Sequence, residues 1–320
     1  MSARAIVLGS GGLTGLAWEV GVLHGLSRRG WDVERFDVAV GSSAGSFVGA
    51  WVQAGAFEQL YALERERDPL EASERLHHAM HNALVPALRL ARDRVLPPAP
   101  WLWTAGVTAS ALLRRTIREG PKGARAAAPA IHTLRGGGSF SDRQMLALGQ
   151  VATAMKPRPH RGHHFWSDRL GPIQDWPDRH LVVTAVDIHD GSRVLYDGSC
   201  GVPLSEAIAG STAVPIIVKP VQIGARTVMD GGLFTAANVD LVAEVLPEVE
   251  QVLVVAPTDR GELAGQVAAL RRAGVRVTVV RPSDRESVLG RGVDMLDPYR
   301  AAASLRQGEW DAATVGQPPR

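Results

Sequence analysis

Three short stretches carry groups able to attack a carbonyl carbon. The first is Gly41-Ser42-Ser43-Ala44-Gly45. A serine hydroxyl is a weak nucleophile, so it must be exposed on a sharp turn, beside a base and beneath donors for the developing oxyanion. Gly41 and Gly45, two positions either side of Ser43, free the backbone to bend between a strand and a helix. With glycine at 34 of 320 positions the spacing alone is a weak signal, and a serine there can equally serve as a helix cap. Its setting raises it: the apolar run Phe36 to Val40 precedes it, and Phe47, Val48, Ala50, Trp51 and Val52 follow.

The second stretch, Gly9-Ser10-Gly11-Gly12-Leu13-Thr14-Gly15, offers consecutive unobstructed amides at a helix start. Such a nest suits a phosphate or a tetrahedral oxyanion. It is not a dinucleotide fingerprint. Counted from Gly9, the third glycine falls on Thr14, and Gly41-Ser42 stands where an acidic ribose ligand belongs. A nucleotide P-loop is excluded by the missing Gly-Lys-Ser/Thr.

The third stretch is Asp230-Gly231-Gly232, which closes a strand-like run. None of the ten histidines lies beyond His189. The Ser, acid, His order of the α/β-hydrolases is therefore absent, and only one strand precedes the Ser43 strand where that fold needs several. A carboxylate base remains. Asp230 is the best-placed candidate, because the glycines after it allow close approach, although Asp-Gly-Gly is also ordinary turn chemistry.

The elements that must position these groups are legible from periodicity. Ala5 to Leu8 reads as a buried strand, and Leu13, Leu16, Ala17, Val20 and Leu23 recur at helical spacing up to Gly30. The unit repeats around Ser43, which predicts a parallel sheet with crossover helices. Hairpins are expected where Leu181 to Ile188 and Arg193 to Tyr196 flank Asp190-Gly191, and where Pro220 to Gln222 and Thr227 to Met229 flank Gly224-Ala225. Helix, strand, helix, strand then follow over 236–245, 251–256, 263–273 and 275–280. Residues 57–156 read as a helical insertion or lid, 157–178 as an irregular loop, and 281–320 as a tail with a short helix at 298–305, all within one domain spanning 1–320.

Taken in order, the glycine loop after the first strand, the Gly-x-Ser-x-Gly after the second and the late Asp-Gly-Gly resemble the patatin-like phospholipase family. Ala209 to Pro215 with Lys219-Pro220-Val221 is similar to the family's segment before its aspartate, and Asn238 after Asp230-Gly231-Gly232 also matches. The resemblance covers about 5–55 and 180–257. It implies an α/β fold, a mainly parallel central sheet with helices on both faces in a three-layer arrangement, and hydrolysis of acyl esters in lipids of the phospholipase A or lysophospholipase type. It further implies a Ser43–Asp230 dyad without histidine, oxyanion donors at Gly11, Gly12 and Leu13, no cofactor and no metal. An acyltransferase using the same serine, or a weakened lipid-binding relative, are the alternatives. One departure is Thr14, where the family usually carries Arg or Lys; another is Ser10, which replaces the first of its glycine triplet.

Composition agrees with this reading. Lys+Arg of 35 against Asp+Glu of 33 gives a net charge of +2, far from a nucleic-acid-binding surface. No stretch is long and apolar enough for a bilayer span or a signal-peptide core, so a cytoplasmic protein with peripheral membrane contact is expected. Oligomeric state carries no sequence signal. Cys200, the one cysteine, is expected as a small buried apolar residue. Val85 to Val107, rich in Leu, Trp and Arg, suits a lid with tryptophans in the core or an interfacial segment. His160, His163 and His164 read as a solvated loop ahead of a metal site, and Asp187 with His189 as a polar hairpin end.

Overall fold

The computed structural model describes residues 3–67, 145, 162–215, 218–285, 289, 290 and 292–317. Eight strands form one sheet: β1 (Ala3–Leu8), β2 (Val38–Ser42), β3 (His180–Asp187), β4 (Arg193–Tyr196), β5 (Val221–Ile223), β6 (Arg226–Asp230), β7 (Val249–Val255) and β8 (Arg276–Val280). The order is β5-β6-β3-β2-β1-β7-β8, with β4 paired to β3 off this path. β3, β2, β1, β7 and β8 run parallel, whereas β4 and β6 pair antiparallel with β3, and β5 with β6.

The helices are α1 (Gly12–Ser27), α2 (Ala44–Gln53), α3 (Phe57–Arg65), α4 (Gly162–Leu170), α5 (Leu204–Ser211), the single turn α6 (Val242–Val245), α7 (Leu263–Arg272) and α8 (Ala301–Ala312). Side chains alternate across a strand, so each central strand feeds two cores. Ile6 and Leu8 of β1, with Leu253 and Val255 of β7, pack among α1, α2, α5 and α8. Ala5 and Val7, with Val252 and Val254, face α7 and α6 on the other side. Helices thus cover both faces, as expected of a parallel sheet.

Both predicted hairpins form, with Gly191 and Gly224 at positive φ in their turns. Four expectations are revised. Residues 162–170, read as part of a loop, form α4, whose Trp166 and Leu170 lie one turn apart and are both buried. The expected helix over 236–245 is broken: Asn238 adopts a left-handed conformation, and only a 3-10 turn at Val239–Leu241 and α6 follow. The C-terminal helix starts at Ala301 and runs to Ala312, longer than expected. Cys200 is exposed, because it sits in the turn after β4, where Asp197 accepts the Ser199 amide and the Cys200 amide returns to the Asp197 carbonyl. The segment Val85 to Val107, His160 and most of 57–156 lie outside the described residues, whereas His163 and His164 fall within α4 and not in a loop.

α8 locks the N-terminal helix. A Cβ on Gly21 would lie 2.0 Å from the Leu305 carbonyl oxygen, and one on Gly308 would lie 2.1 Å from that of Trp18, so the two backbones cross glycine to glycine. Trp18 Nε1 donates to buried Asp311 Oδ2 at 2.8 Å. This crossing fixes α1, and with it the glycine loop that opens α1.

Candidate active site

Ser43 occupies the turn between β2 and α2 at φ 54, ψ −117. A side chain at positive φ costs about 1–3 kcal/mol, so its surroundings must hold it there. The Ser43 amide donates to Ser211 Oγ at 2.9 Å, and its carbonyl accepts from the amide and the hydroxyl of Ser46 at 3.0 and 2.6 Å. The flanking glycines are required by space. A Cβ on Gly41 would lie 2.5 Å from Ser46 Cα, and one on Gly45 would lie 2.2 Å from the Leu8 carbonyl oxygen. The Gly45 amide donates to the Gly9 carbonyl at 3.1 Å, which ties the serine elbow to the glycine loop.

Asp230 ends β6, its Cα paired with that of Ala185 in β3, one residue beyond the Thr184 that pairs with Ser42. Antiparallel β6 thereby delivers its last residue next to the end of parallel β2. The Ser43 side chain stands close enough to the Asp230 carboxyl to favour its charged form. Asp230 Oδ1 also accepts the Gly232 amide at 2.8 Å. Both Ser43 and Asp230 are 5% exposed. Burial pushes the Asp230 carboxyl up to about 6, while the Ser43 side chain, the Gly232 hydrogen bond and the charge of Arg260 pull in the other direction. That makes it a far better base near neutral pH than an ordinary aspartate at about 4.

Gly231 and Gly232 are also demanded by packing. A Cβ on Gly231 would lie 2.1 Å from the Thr184 carbonyl oxygen, and one on Gly232 would lie 2.3 Å from Ser10 Cβ. The second contact places the glycine loop directly over the aspartate turn. Within that loop the Gly9 amide donates to the Val255 carbonyl at 3.0 Å and the Ser10 amide to that of Ala236 at 2.8 Å. Gly11 is extended at φ −169 and buried, and Gly12 stands at φ 62. No side chain caps the start of α1 and no acid lies in its first turn. The amides of Gly11, Gly12 and Leu13 thus sit at an uncapped, positively polarised helix end. Thr14 is fully buried and donates to the Leu289 carbonyl at 2.9 Å, so it adds no charge here.

Asn238 braces the assembly. Its Nδ2 donates to Ser42 Oγ at 2.9 Å and to the Thr235 carbonyl at 3.0 Å, while its Oδ1 accepts from Arg193 at 3.2 Å. Ser42 Oγ also shares a 2.8 Å hydrogen bond with Thr184 Oγ1. Sequence reasoning noticed Asn238 but gave no role to Ser211, Thr184 or Arg260. Ser211 lies in the quoted Ala209–Pro215 segment, so a signal existed; Thr184 and Arg260 carried none. Asp187 accepts the His189 amide at 2.8 Å and pairs with Arg226 at 3.2 Å, a polar hairpin end. No group of three or more His, Cys, Asp or Glu suited to a metal ion occurs among the described residues.

A mainly parallel α/β sheet with a serine elbow against a buried aspartate, under a glycine loop, defines the class of the protein. The patatin-like phospholipase family model matches residues 6–243, and the chain belongs to that family. The solved structures to which the chain is similar include two. One is VipD from Legionella pneumophila, at 12% identity and TM-score 0.42, covering 98% of this chain and 66% of that one. The other is the type III effector protein ExoU, at 16% identity and TM-score 0.31, covering 96% and 53%. The chain thus spans about two thirds and about half of their lengths. No curated protein matches its sequence. Among the described residues no helix is long and apolar enough to cross a membrane.

Proposed function

We propose that the chain hydrolyses carboxylic esters of lipids, as a phospholipase A or lysophospholipase, through an acyl-enzyme on Ser43. The observation that carries this reading is the meeting of the Ser43 and Asp230 side chains, two residues far apart in sequence, at the uncapped start of α1. Ser43 Oγ attacks the ester carbonyl as its proton passes to Asp230, forming the tetrahedral intermediate. The amides of Gly11, Gly12 and Leu13 take the oxyanion. Collapse breaks the ester C–O bond, and the departing alkoxide recovers the proton from Asp230. Water, deprotonated by the same carboxylate, then attacks the acyl-serine, and the proton returns to Ser43 as the fatty acid leaves. Removing one oxyanion donor typically costs about 10²–10³ in rate, so the loop contributes on the scale of the base. Contact with lipid is peripheral in this scheme.

A second reading, a weakened lipid-binding relative, is favoured by Thr14 alone: its hydroxyl is committed to Leu289 and the loop has no cation of its own. A panel separates the readings. Short-chain nitrophenyl esters, phospholipid vesicles and lysophospholipids should each be assayed for free fatty acid, with and without a small thiol acceptor. Fatty acid released to water supports the hydrolase. Acyl transfer to the thiol alone would mean a transferase, and tight vesicle binding with no turnover would mean a silenced relative.

A further inference from the structure

The loop after β7 carries Arg260 across to the aspartate turn. Its Nη2 donates to the Gly232 carbonyl at 2.5 Å and to the Leu233 carbonyl at 3.1 Å, and lies 3.6 Å from Glu262 Oε1. Those carbonyls belong to the 3-10 turn Gly231–Leu233, which immediately follows Asp230. Gly232 is therefore held twice: its amide donates to Asp230 Oδ1 at 2.8 Å, and its carbonyl accepts the guanidinium. Glu262 closes the enclosure by accepting the Ala236 amide at 3.0 Å. The Arg260 side chain is 16% exposed, so its charge is only weakly screened by solvent.

We propose that Arg260 is a positioning residue, holding the Asp230-Gly231-Gly232 turn in the shape that presents Asp230 to Ser43 and lending its charge to that carboxylate. The inference rests on the hydrolase reading above. Two consequences of one side chain are separable. The paired hydrogen bonds to adjacent carbonyls both leave Nη2, an outer guanidinium nitrogen further from the main chain than a lysine ammonium reaches, whereas the electrostatic contribution needs only a cation. Arg260 is the charged group whose field reaches Asp230, where it opposes the effect of burial. Facing Arg260 in turn are Glu262, Asp230 and Asp259, and Asp259 lies 3.4 Å from Arg281.

The test uses the full chain, the variants R260M, R260K and R260M/E262Q, and two readouts. One is the pH profile of kcat/KM on a soluble ester. The other is the NMR titration of the Asp230 carboxyl, assigned by its loss in D230N. Removing the cation disfavours the carboxylate, so in R260M the acid limb and the Asp230 titration should move upward by about one pH unit, a tenfold loss of rate on that limb. R260M/E262Q should move the same way, which removes an unpaired Glu262 as the cause. R260K should keep the limb in place but lower the plateau rate several-fold, and it guards against misfolding of R260M. Superimposable profiles in R260M, a wild-type limb in the double variant, or an unchanged plateau in R260K would each overturn the proposal. Should the native chain release no fatty acid, the hydrolase reading fails, while the NMR titration still decides whether Arg260 controls Asp230.

Discussion

Replacing Ser43 with alanine should lower ester hydrolysis by about 10⁴-fold or more while leaving the folding transition almost unchanged. The size follows from the role. A serine nucleophile and its base act as a unit, and loss of either removes nearly all of their joint effect, so that only binding and the oxyanion donors remain. The fold should tolerate the change because what holds the elbow is backbone. Ser211 takes the residue 43 amide and Ser46 takes its carbonyl, and neither contact needs the hydroxyl. Stability should stay within about 1 kcal/mol of the native chain, since the change removes one hydroxyl and only its interaction with the Asp230 carboxyl. Measured rates on a nitrophenyl ester together with thermal unfolding test both halves. A variant that keeps a tenth of the native rate would remove Ser43 from the chemistry.

Replacing Asp230 with asparagine should do two opposite things. Activity should fall by about 10²–10⁴-fold, because asparagine cannot accept the Ser43 proton. Stability at neutral pH should rise. Burial lifts the folded-state carboxyl from its ordinary 3.8 to about 6, so the native state favours the protonated acid over the carboxylate. The stability this group contributes is complete below about pH 4 and is lost as pH climbs through about 6. Above pH 7 the native chain bears the full cost of a buried charge, about 2–3 kcal/mol, which an asparagine does not. Its side-chain oxygen can still accept the Gly232 amide. D230N should therefore unfold at higher denaturant concentration than the native chain at pH 7.5, with the difference vanishing near pH 4. The native kcat/KM should rise with pH through an acid limb near 6. A variant less stable at pH 7.5 than the native chain would mean that Asp230 is not held as a strained, buried base.

Backbone strain is concentrated at the same place. Among the described residues only Ser43 and Asn238 lack the glycine freedom for the positive φ they adopt, and both border the dyad. Asn238 bonds the residue just before the serine, and Ser211 bonds the serine itself, so the strain at Ser43 is held from two directions.

The parts of this arrangement that depend on local sequence were the parts legible in it. The β1-loop-α1 and β2-elbow-α2 units each show an apolar run, glycines and then a 3.6-residue period within about 25 residues. Both hairpins announce themselves by a glycine in the turn. The meeting of Ser43 and Asp230 is different in kind, since it depends on β6 pairing antiparallel with β3 while β3 pairs parallel with β2. No periodicity encodes that pairing, and only the ordered resemblance of three motifs pointed to it. Arg260 was invisible for the same reason: its partners are main-chain carbonyls, which leave no mark on residue type. The break at Asn238 was missed because the apolar spacing of 236–245 is helical, and a buried amide bonding across to Ser42 overrode it. Cys200 was misplaced because its preference for burial yielded to a five-residue polar turn.

The claim on which all of this depends is that Ser43 is a nucleophile activated by Asp230. The most direct measurement is reaction of the native chain with a fluorophosphonate, followed by peptide mapping by mass spectrometry, with D230N alongside. The account predicts a single phosphonylated residue, Ser43, in the native chain, with labelling that is at least tenfold slower in D230N. A native chain left unlabelled, or labelled at another serine, would contradict it.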